Sequence, residues 1–514
     1  MSKERINNPQ TVLVTGAAGG LGVHLVRILH QAGWIVRAYD LQSPEQARRD
    51  SLVEPSPGVE WFTGPWEEAR MRELLTGCQA VVHAAGLVSL TGGAEEFLNA
   101  NVEVTRQLFE LSCQAGVDHF VYISCAFVYQ TEVRIRTEGS PTRAQNAFED
   151  SKLAAEFFLN RMARSRKDAP AVTILRLGML YGPGCSTMGA STVILPALLR
   201  EFSRYLPGIT GGPRTNWCHV CDAADAVELV LRHPEARGAL FNVTDETPLT
   251  FGEVLTSIAE AYGIDLGPSV PIPNAAIWAL LSPLVDNEWA FDQARALLGL
   301  GWKRIQKVHG LKSPLKPRLN RDALYYLGDE AIVVANAITE LGWTPRWPDF
   351  REGIKPTLRW YQEEGWAPRF DTEAEVQRLD ATPGHHFRYA ESLSGEISGP
   401  EISAPLQLEL NLAWPSFPLP PSRREGHLEG VLSAPGLARE ATLHGTIEIR
   451  WVPTLQIDYQ FGFLNQDGQA CRFQGVRKLD LANPSHSWGL LKGTIIDRHG
   501  GTVGTASLHL KRNS

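Results

Sequence analysis

The stretch from Thr11 to Gly22 leaves this chain the least freedom. Thr11-Val-Leu-Val-Thr15 is short, apolar and β-branched, which suits a strand buried on both faces. Gly16-Ala-Ala-Gly-Gly-Leu-Gly22 follows at once, and Val23-His-Leu-Val-Arg-Ile-Leu-His30 then carries apolar residues at helical spacing. Gly16 permits a tight turn, Gly19 lets backbone approach a pyrophosphate, and Gly22 lets the helix pack closely on the strand. Gly20 and Leu21 fall at the helix N-terminus, where N–H groups and the positive dipole end attract phosphate. Trp34-Ile-Val-Arg-Ala-Tyr-Asp40 reads as the next strand, ending on a carboxylate. An acid there accepts from a ribose 2′-hydroxyl and repels a 2′-phosphate, so the expected cofactor is NAD rather than NADP. Arg37 and Arg48 are rival phosphate partners, but Arg37 lies inside the strand.

The alternation of strands and helices continues to about residue 180. Ala80-Val-Val-His83, His119-Phe-Val-Tyr-Ile-Ser-Cys125 and Ala171-Val-Thr-Ile-Leu-Arg-Leu177 are apolar strands, and helical patterns lie between them. Repeated βαβ units mean a parallel, doubly wound α/β sheet of the Rossmann type. From about 190 to 365 helical patterns broken by Pro and Gly dominate. Residues 1–370 form the expected first domain, and 371–386 lose apolar periodicity and read as a linker. Residues 387–514 switch to period two, as in Leu406-Gln-Leu-Glu-Leu-Asn-Leu412, which predicts an all-β barrel or sandwich. His427-Leu-Glu-Gly-Val-Leu432 and Leu490-Leu-Lys-Gly-Thr-Ile495 hint at an internal duplication there.

Composition removes other classes. The net charge of −8 supplies no basic field for nucleic acid. Seven scattered cysteines suit a reducing compartment better than a disulfide framework. The start is polar, without a signal-like pattern, and no apolar run approaches membrane-spanning length. The expected location is the cytoplasm.

Further motifs then identify a family resemblance. They are His83-Ala84-Ala85-Gly86 after a strand, Asn101-Val-Glu-Val-Thr105, and Ile123-Ser-Cys-Ala-Phe-Val-Tyr129. Leu175-Arg176, Leu180-Tyr-Gly-Pro-Gly184 and His219-Val-Cys-Asp222 continue the series. With the glycine turn, they make residues 11–365 resemble the extended short-chain dehydrogenase/reductases. The nearest branch is the 3β-hydroxysteroid dehydrogenase group of the NAD-dependent epimerase/dehydratases. The resemblance implies a Rossmann fold with a small, mostly helical substrate lobe over about residues 185–330, and that Ala84, Ala85, Gly86, Asn101 and Lys152 lie at the cofactor.

That family exchanges a proton through a Tyr spaced YxxxK from a Lys, beside a Ser or Thr. Here the helix reads Phe148-Glu-Asp-Ser-Lys152, so the Lys is present and the phenol is not. A phenyl ring has no proton to exchange. The Ser/Thr position falls on Cys125, with Ser124 beside it. Three readings stay open: redox chemistry with a substitute acid, redox-neutral isomerase, lyase or cyclase chemistry, and a non-catalytic binding or regulatory role. Cys125, Tyr129, Glu149, Asp150 and Tyr181 are the substitute candidates.

Thr215 stands where sugar-nucleotide relatives carry a diphosphate-binding Arg, with Arg214 adjacent, which favours an apolar steroid-, terpenoid- or acyl-type substrate. Cys218-His-Val-Cys221 has CxxC spacing without a second pair, so no metal is expected. Residues 275–321 combine Trp278 and Trp289 with a basic run, as a peripheral membrane contact would. The β domain reads equally as a lipid-binding module or as a stabilising, dimerising appendage, so a homodimer is the remaining expected partner.

Overall fold

The computed structural model describes residues 10–53, 57–89, 92–202, 206–264, 266–272, 288–317, 330–370, 387–400, 402–414, 424–450, 456–478 and 490–510. The chain divides into two compact units. One is Met1–Leu198, Pro207–Ala279 and Arg295–Phe370, and the other is Leu199–Leu206, Leu280–Ala294 and Asp371–Ser514.

The first unit is built on a seven-stranded parallel sheet. Its strands are β1 (Thr11–Thr15), β2 (Ile35–Asp40), β3 (Val59–Thr63), β4 (Ala80–His83), β5 (His119–Cys125), β6 (Ala171–Leu177) and β7 (Leu240–Val243). Their spatial order is 7-6-5-4-1-2-3. The order reverses between β1 and β4, and that crevice is where such sheets bind ligands. The strands are apolar on both faces because helices cover both: Val12, Leu13, Val14, Val81 and Val121 are wholly buried.

Helix α1 (Gly22–Gln31) follows β1, and α2 (Glu68–Leu75) connects β3 to β4. Before α3 (Val104–Ala115) one turn widens into a π-helix over Leu98–Glu103, and Asn101 lies within it. Helix α4 (Ala147–Ser165) joins β5 to β6. Helix α5 (Val220–Arg232) leads to β7, and its buried face includes Ala224, Val227 and Val230. The stretch expected to be a helical lobe therefore supplies a strand of the main sheet. Among the described residues it also holds short pairs, such as Arg214–Thr215 with Leu249–Thr250, beside the helices that make up most of it.

A buried polar network ties α4 to the sheet. Glu156 receives two bonds from Arg176 on β6, Nε at 3.0 Å and Nη2 at 2.6 Å. The Ser124 hydroxyl donates to the same carboxylate at 2.5 Å. Arg176 stacks 4.7 Å over the Tyr129 ring, and the Tyr129 hydroxyl donates to Asn242 at 2.7 Å.

In the second unit an eight-stranded antiparallel barrel closes in sequence order. Its strands are β8 (Phe387–Ser398), β9 (Ser403–Trp414), β10 (Arg424–Ala434), β11 (Ala438–Arg450), β12 (Gln456–Leu464), β13 (Ala470–Lys478), β14 (Leu490–Asp497) and β15 (Thr502–Leu510). Closure comes from β8 pairing with β15, Leu393 opposite Leu510. Leu406, Leu408, Leu410 and Leu412 alternate inward along β9 while Gln407, Glu409 and Asn411 face out. The two similar hexapeptides lie on β10 and β14, strands half a barrel apart, each leading into a hairpin.

Glu156→Ala would leave Arg176 buried without its carboxylate and Ser124 without its acceptor. The expected cost is about 3–5 kcal/mol, seen as a large fall in the melting temperature of the first unit.

Candidate active site

The glycine turn makes a cradle with no room for side chains. Gly16 has φ +73°, and a Cβ on it would sit 2.6 Å from the Ala85 nitrogen. A Cβ on Gly22 would sit 2.0 Å from the Gly16 oxygen, so only glycine lets α1 start this close to β1. No side chain caps α1 and no acid stands in its first turn, which leaves its positive end open to phosphate. Asp40 closes the cradle at the end of β2. Its Oδ2 accepts from Ala18 N at 3.0 Å and its Oδ1 from Gln42 N at 3.2 Å. Those bonds fix the carboxylate, and each oxygen keeps a lone pair for ribose hydroxyls. Arg37 is turned away, donating to the Leu74 and Thr76 carbonyls. Arg49 holds the connection after Asp40 in place, through Gly184 O at 2.7 Å and Ser186 Oγ at 3.1 Å.

Beneath the turn, His83 bridges β1 and α3. Thr15 Oγ1 lies 2.7 Å from Nδ1, and Thr105 Oγ1 lies 2.8 Å from Nε2. Thr105 spends its own proton on Asn101 O at 2.6 Å, so Nε2 must donate, and in the neutral ring Nδ1 is left to accept from Thr15. The ring is neutral in this arrangement, and burial, aided by Lys152, lowers its pKa from 6.5 to about 3. Asn101 in turn clamps the loop after β4. Its Oδ1 accepts from Leu87 N at 2.6 Å, and its Nδ2 donates to Leu87 O and to Ser151 Oγ. That clamp holds Gly86, at φ +157°, next to Lys152.

Lys152 is buried on α4 and donates to Ile123 O at 2.9 Å. Two of its three N–H groups remain for a ligand. Its Nζ lies 5.0 Å over the Tyr122 ring, and burial lowers its pKa.

The other expected residues separate. Ser124 and Cys125 are neighbours on a strand and point to opposite faces. Ser124 is committed to Glu156. Tyr129 is wholly buried on Asn242 and Arg176, and Tyr181 is packed against Trp217, His219 and Phe350. Glu149 caps α4: its carboxylate accepts from Gln145 N at 2.6 Å and Asn146 Nδ2 at 3.1 Å. Asp150 is exposed to solvent. Cys125 alone of the substitutes joins the apolar cluster of Phe97, Phe127, Val128 and Phe148. Burial pushes its thiol up to about 12, so it stays protonated at neutral pH. Phe148 packs on Phe97 with ring centroids 6.1 Å apart.

Cys218 is core and Cys221 half-buried, and among the described residues no His, Cys, Asp and Glu group could hold a metal. Sequence reasoning missed Glu156, although it follows Lys152 by one helical turn and so shares its face.

The profile described as the NAD dependent epimerase/dehydratase family matches residues 12–244. Sterol demethylase protein B of Methylococcus capsulatus is 30% identical over 266 residues, covering 49% of this chain and 75% of that protein. The chain belongs to the NAD-dependent epimerase/dehydratase family. A 3β-hydroxysteroid dehydrogenase/Δ5→4-isomerase of Mycobacterium tuberculosis is 26% identical over 350 residues, covering 65% of this chain and 86% of that one. UDP-glucose 4-epimerase of Thermotoga maritima shares the fold at TM-score 0.51 and 20% identity, covering 69% of this chain and 99% of that one. The family's cofactor is NAD, and the side-chain-free cradle, the open helix end and the fixed Asp40 fit that group.

Two outcomes follow. Asp40→Ala should narrow the preference for NAD over NADP by roughly tenfold or more, measured by titrating both dinucleotides. His83 binds a proton between pH 6.5 and about 3 only when unfolded, so it makes stability fall as pH drops through that window. His83→Gln should flatten the melting temperature against pH there relative to the parent.

Proposed function

We propose that the chain is an NAD-dependent oxidoreductase acting on a hydroxyl or ketone carbon of an apolar, steroid- or lipid-like substrate, without a catalytic phenol. The observation that carries this reading is the pairing of a buried Lys152 with an apolar cluster where the family's Tyr would stand. The NAD group, when bound, exchanges the hydride. The chain must then orient the substrate, exclude water and move one proton at the substrate oxygen.

Lys152 supplies the proton position. Its ammonium is anchored by Ile123 O, and desolvation brings its pKa down towards the range where acid–base exchange is efficient. Cys125 remains a thiol and can only donate, which suits a ketone oxygen during reduction. Phe148, Phe97 and Val128 form a buried apolar cluster with Cys125 that keeps water away from the thiol. Arg214, the one adjacent stand-in for a diphosphate-binding arginine, is ion-paired to Glu330 at 2.9 Å. That commitment argues against a sugar nucleotide. The steroid and sterol names of the relatives above agree with an apolar substrate.

The dry lining also favours a second reading, in which the fold binds NAD but its oxidoreductase chemistry has been replaced by redox-neutral or binding work. The two readings separate by turnover with 3-hydroxysteroids and long-chain β-hydroxy acyl compounds. Under the first, the parent turns over, and Lys152→Met lowers kcat roughly 100-fold or more. Cys125→Ala then lowers kcat with NAD affinity kept. Ketone reduction also slows as pH rises through the lowered Lys152 pKa, because the proton donor is lost. Turnover that appears only in Phe148→Tyr would overturn the first reading in favour of the second.

A further inference from the structure

The helix Glu288–Val308, α6, and the strap that follows it carry a surface the dinucleotide site does not use. In its second half Trp302 and Ile305 are buried, and Trp302 Nε1 donates to Leu315 O at 2.8 Å. The strap folds back along the helix, with Gln306 Nε2 donating to Ser313 O at 3.2 Å. Lys312 N then bonds Gly365 O at 3.0 Å, which fixes the strap to the unit.

The opposite helix face holds Leu300, Lys303, Arg304, Lys307 and Val308. Spacings of three and four residues place all five on one side of an α-helix. The three cations are exposed, and so are Leu300 at 62% and Val308 at 44%. Lys312 and Lys316 on the strap are exposed as well. No acid occurs from Trp302 to Pro317, and among the described residues none of the five cations makes an ion pair. The chain as a whole carries −8, so this patch runs against its overall charge.

We propose that this face is a docking surface for an anionic lipid bilayer. Cations alone would suit any polyanion. Leu300 and Val308 lie among them on the same face, and apolar side chains gain by entering the acyl boundary but gain nothing on a phosphate backbone. The Trp278 part of the expected 275–321 contact lies outside the described residues, as do residues 318–321. The described half carries the surface by itself. The inference does not rest on the redox reading, since it concerns neither the cradle nor Lys152.

The test is co-sedimentation of the full chain, without NAD or substrate, on phosphatidylcholine vesicles with and without phosphatidylglycerol. Binding to the phosphatidylglycerol vesicles, weakened by added salt and absent on phosphatidylcholine alone, is expected. The combined Lys303→Gln, Arg304→Gln, Lys307→Gln variant should bind roughly 100-fold more weakly. Leu300→Ser with Val308→Ser should weaken binding roughly tenfold at unchanged charge. All these positions are exposed, and near-ultraviolet circular dichroism with the melting temperature verifies that each variant is folded. Equal binding to both vesicles, insensitivity to the triple variant, or retention on duplex DNA without retention on vesicles would overturn the proposal.

Discussion

Helix α1 begins in contact with the turn that precedes it, because neither Gly16 nor Gly22 has a side chain. A Cβ on Gly22 would overlap the Gly16 carbonyl at 2.0 Å. That closeness brings the helix N-terminus over the end of β1, at the point where the strand order reverses. Asp40 on β2, Ala84 and Ala85 after β4, and the clamped Gly86 are then arranged around one crevice. The polar scaffold below it serves the same geometry. Thr15, His83, Thr105 and Asn101 form one directed chain of hydrogen bonds from β1 to the π-helical turn. Thr105 gives its one proton to Asn101, so His83 Nε2 donates, and the neutral ring that burial favours leaves Nδ1 to accept from Thr15.

Helix α4 shows a division of labour along its length. One face of the helix carries Lys152 and, one turn later, Glu156. Lys152 donates to Ile123 O, and Glu156 is spent on Arg176 and Ser124. Ser124 therefore holds the strand in place, and Cys125 packs in the apolar cluster with Phe148. Replacing the family's phenol by Phe148 removes a proton donor and adds an apolar wall. The two changes point the same way, towards the proposed chemistry on an apolar substrate.

Much of this was legible in residue order. Strand and helix periods, the glycine spacing and Asp40 identify the dinucleotide unit because each depends on neighbours in sequence. The loss of the phenol was equally plain from Phe148 and Lys152. What sequence could not supply depends on contacts between distant residues. Strand parity separates Ser124 from Cys125, but that Ser124 is the one engaged depends on its contact with the distant Glu156. Glu149 looked like a spare acid, and its role is to cap its own helix through Gln145 and Asn146. Likewise, period-two patterning predicted the β domain, but closure required Leu393 on β8 to meet Leu510 on β15.

The central claim is that an intact NAD cradle and a buried Lys152 support hydride exchange on an apolar carbonyl without a phenol. The most direct measurement is incubation of the full chain with NADH deuterated at the nicotinamide C4 and a 3-ketosteroid, with mass analysis of the product alcohol. The account predicts an alcohol carrying deuterium at the carbinol carbon. NADH that binds tightly while no deuterium reaches any tested apolar ketone would contradict it.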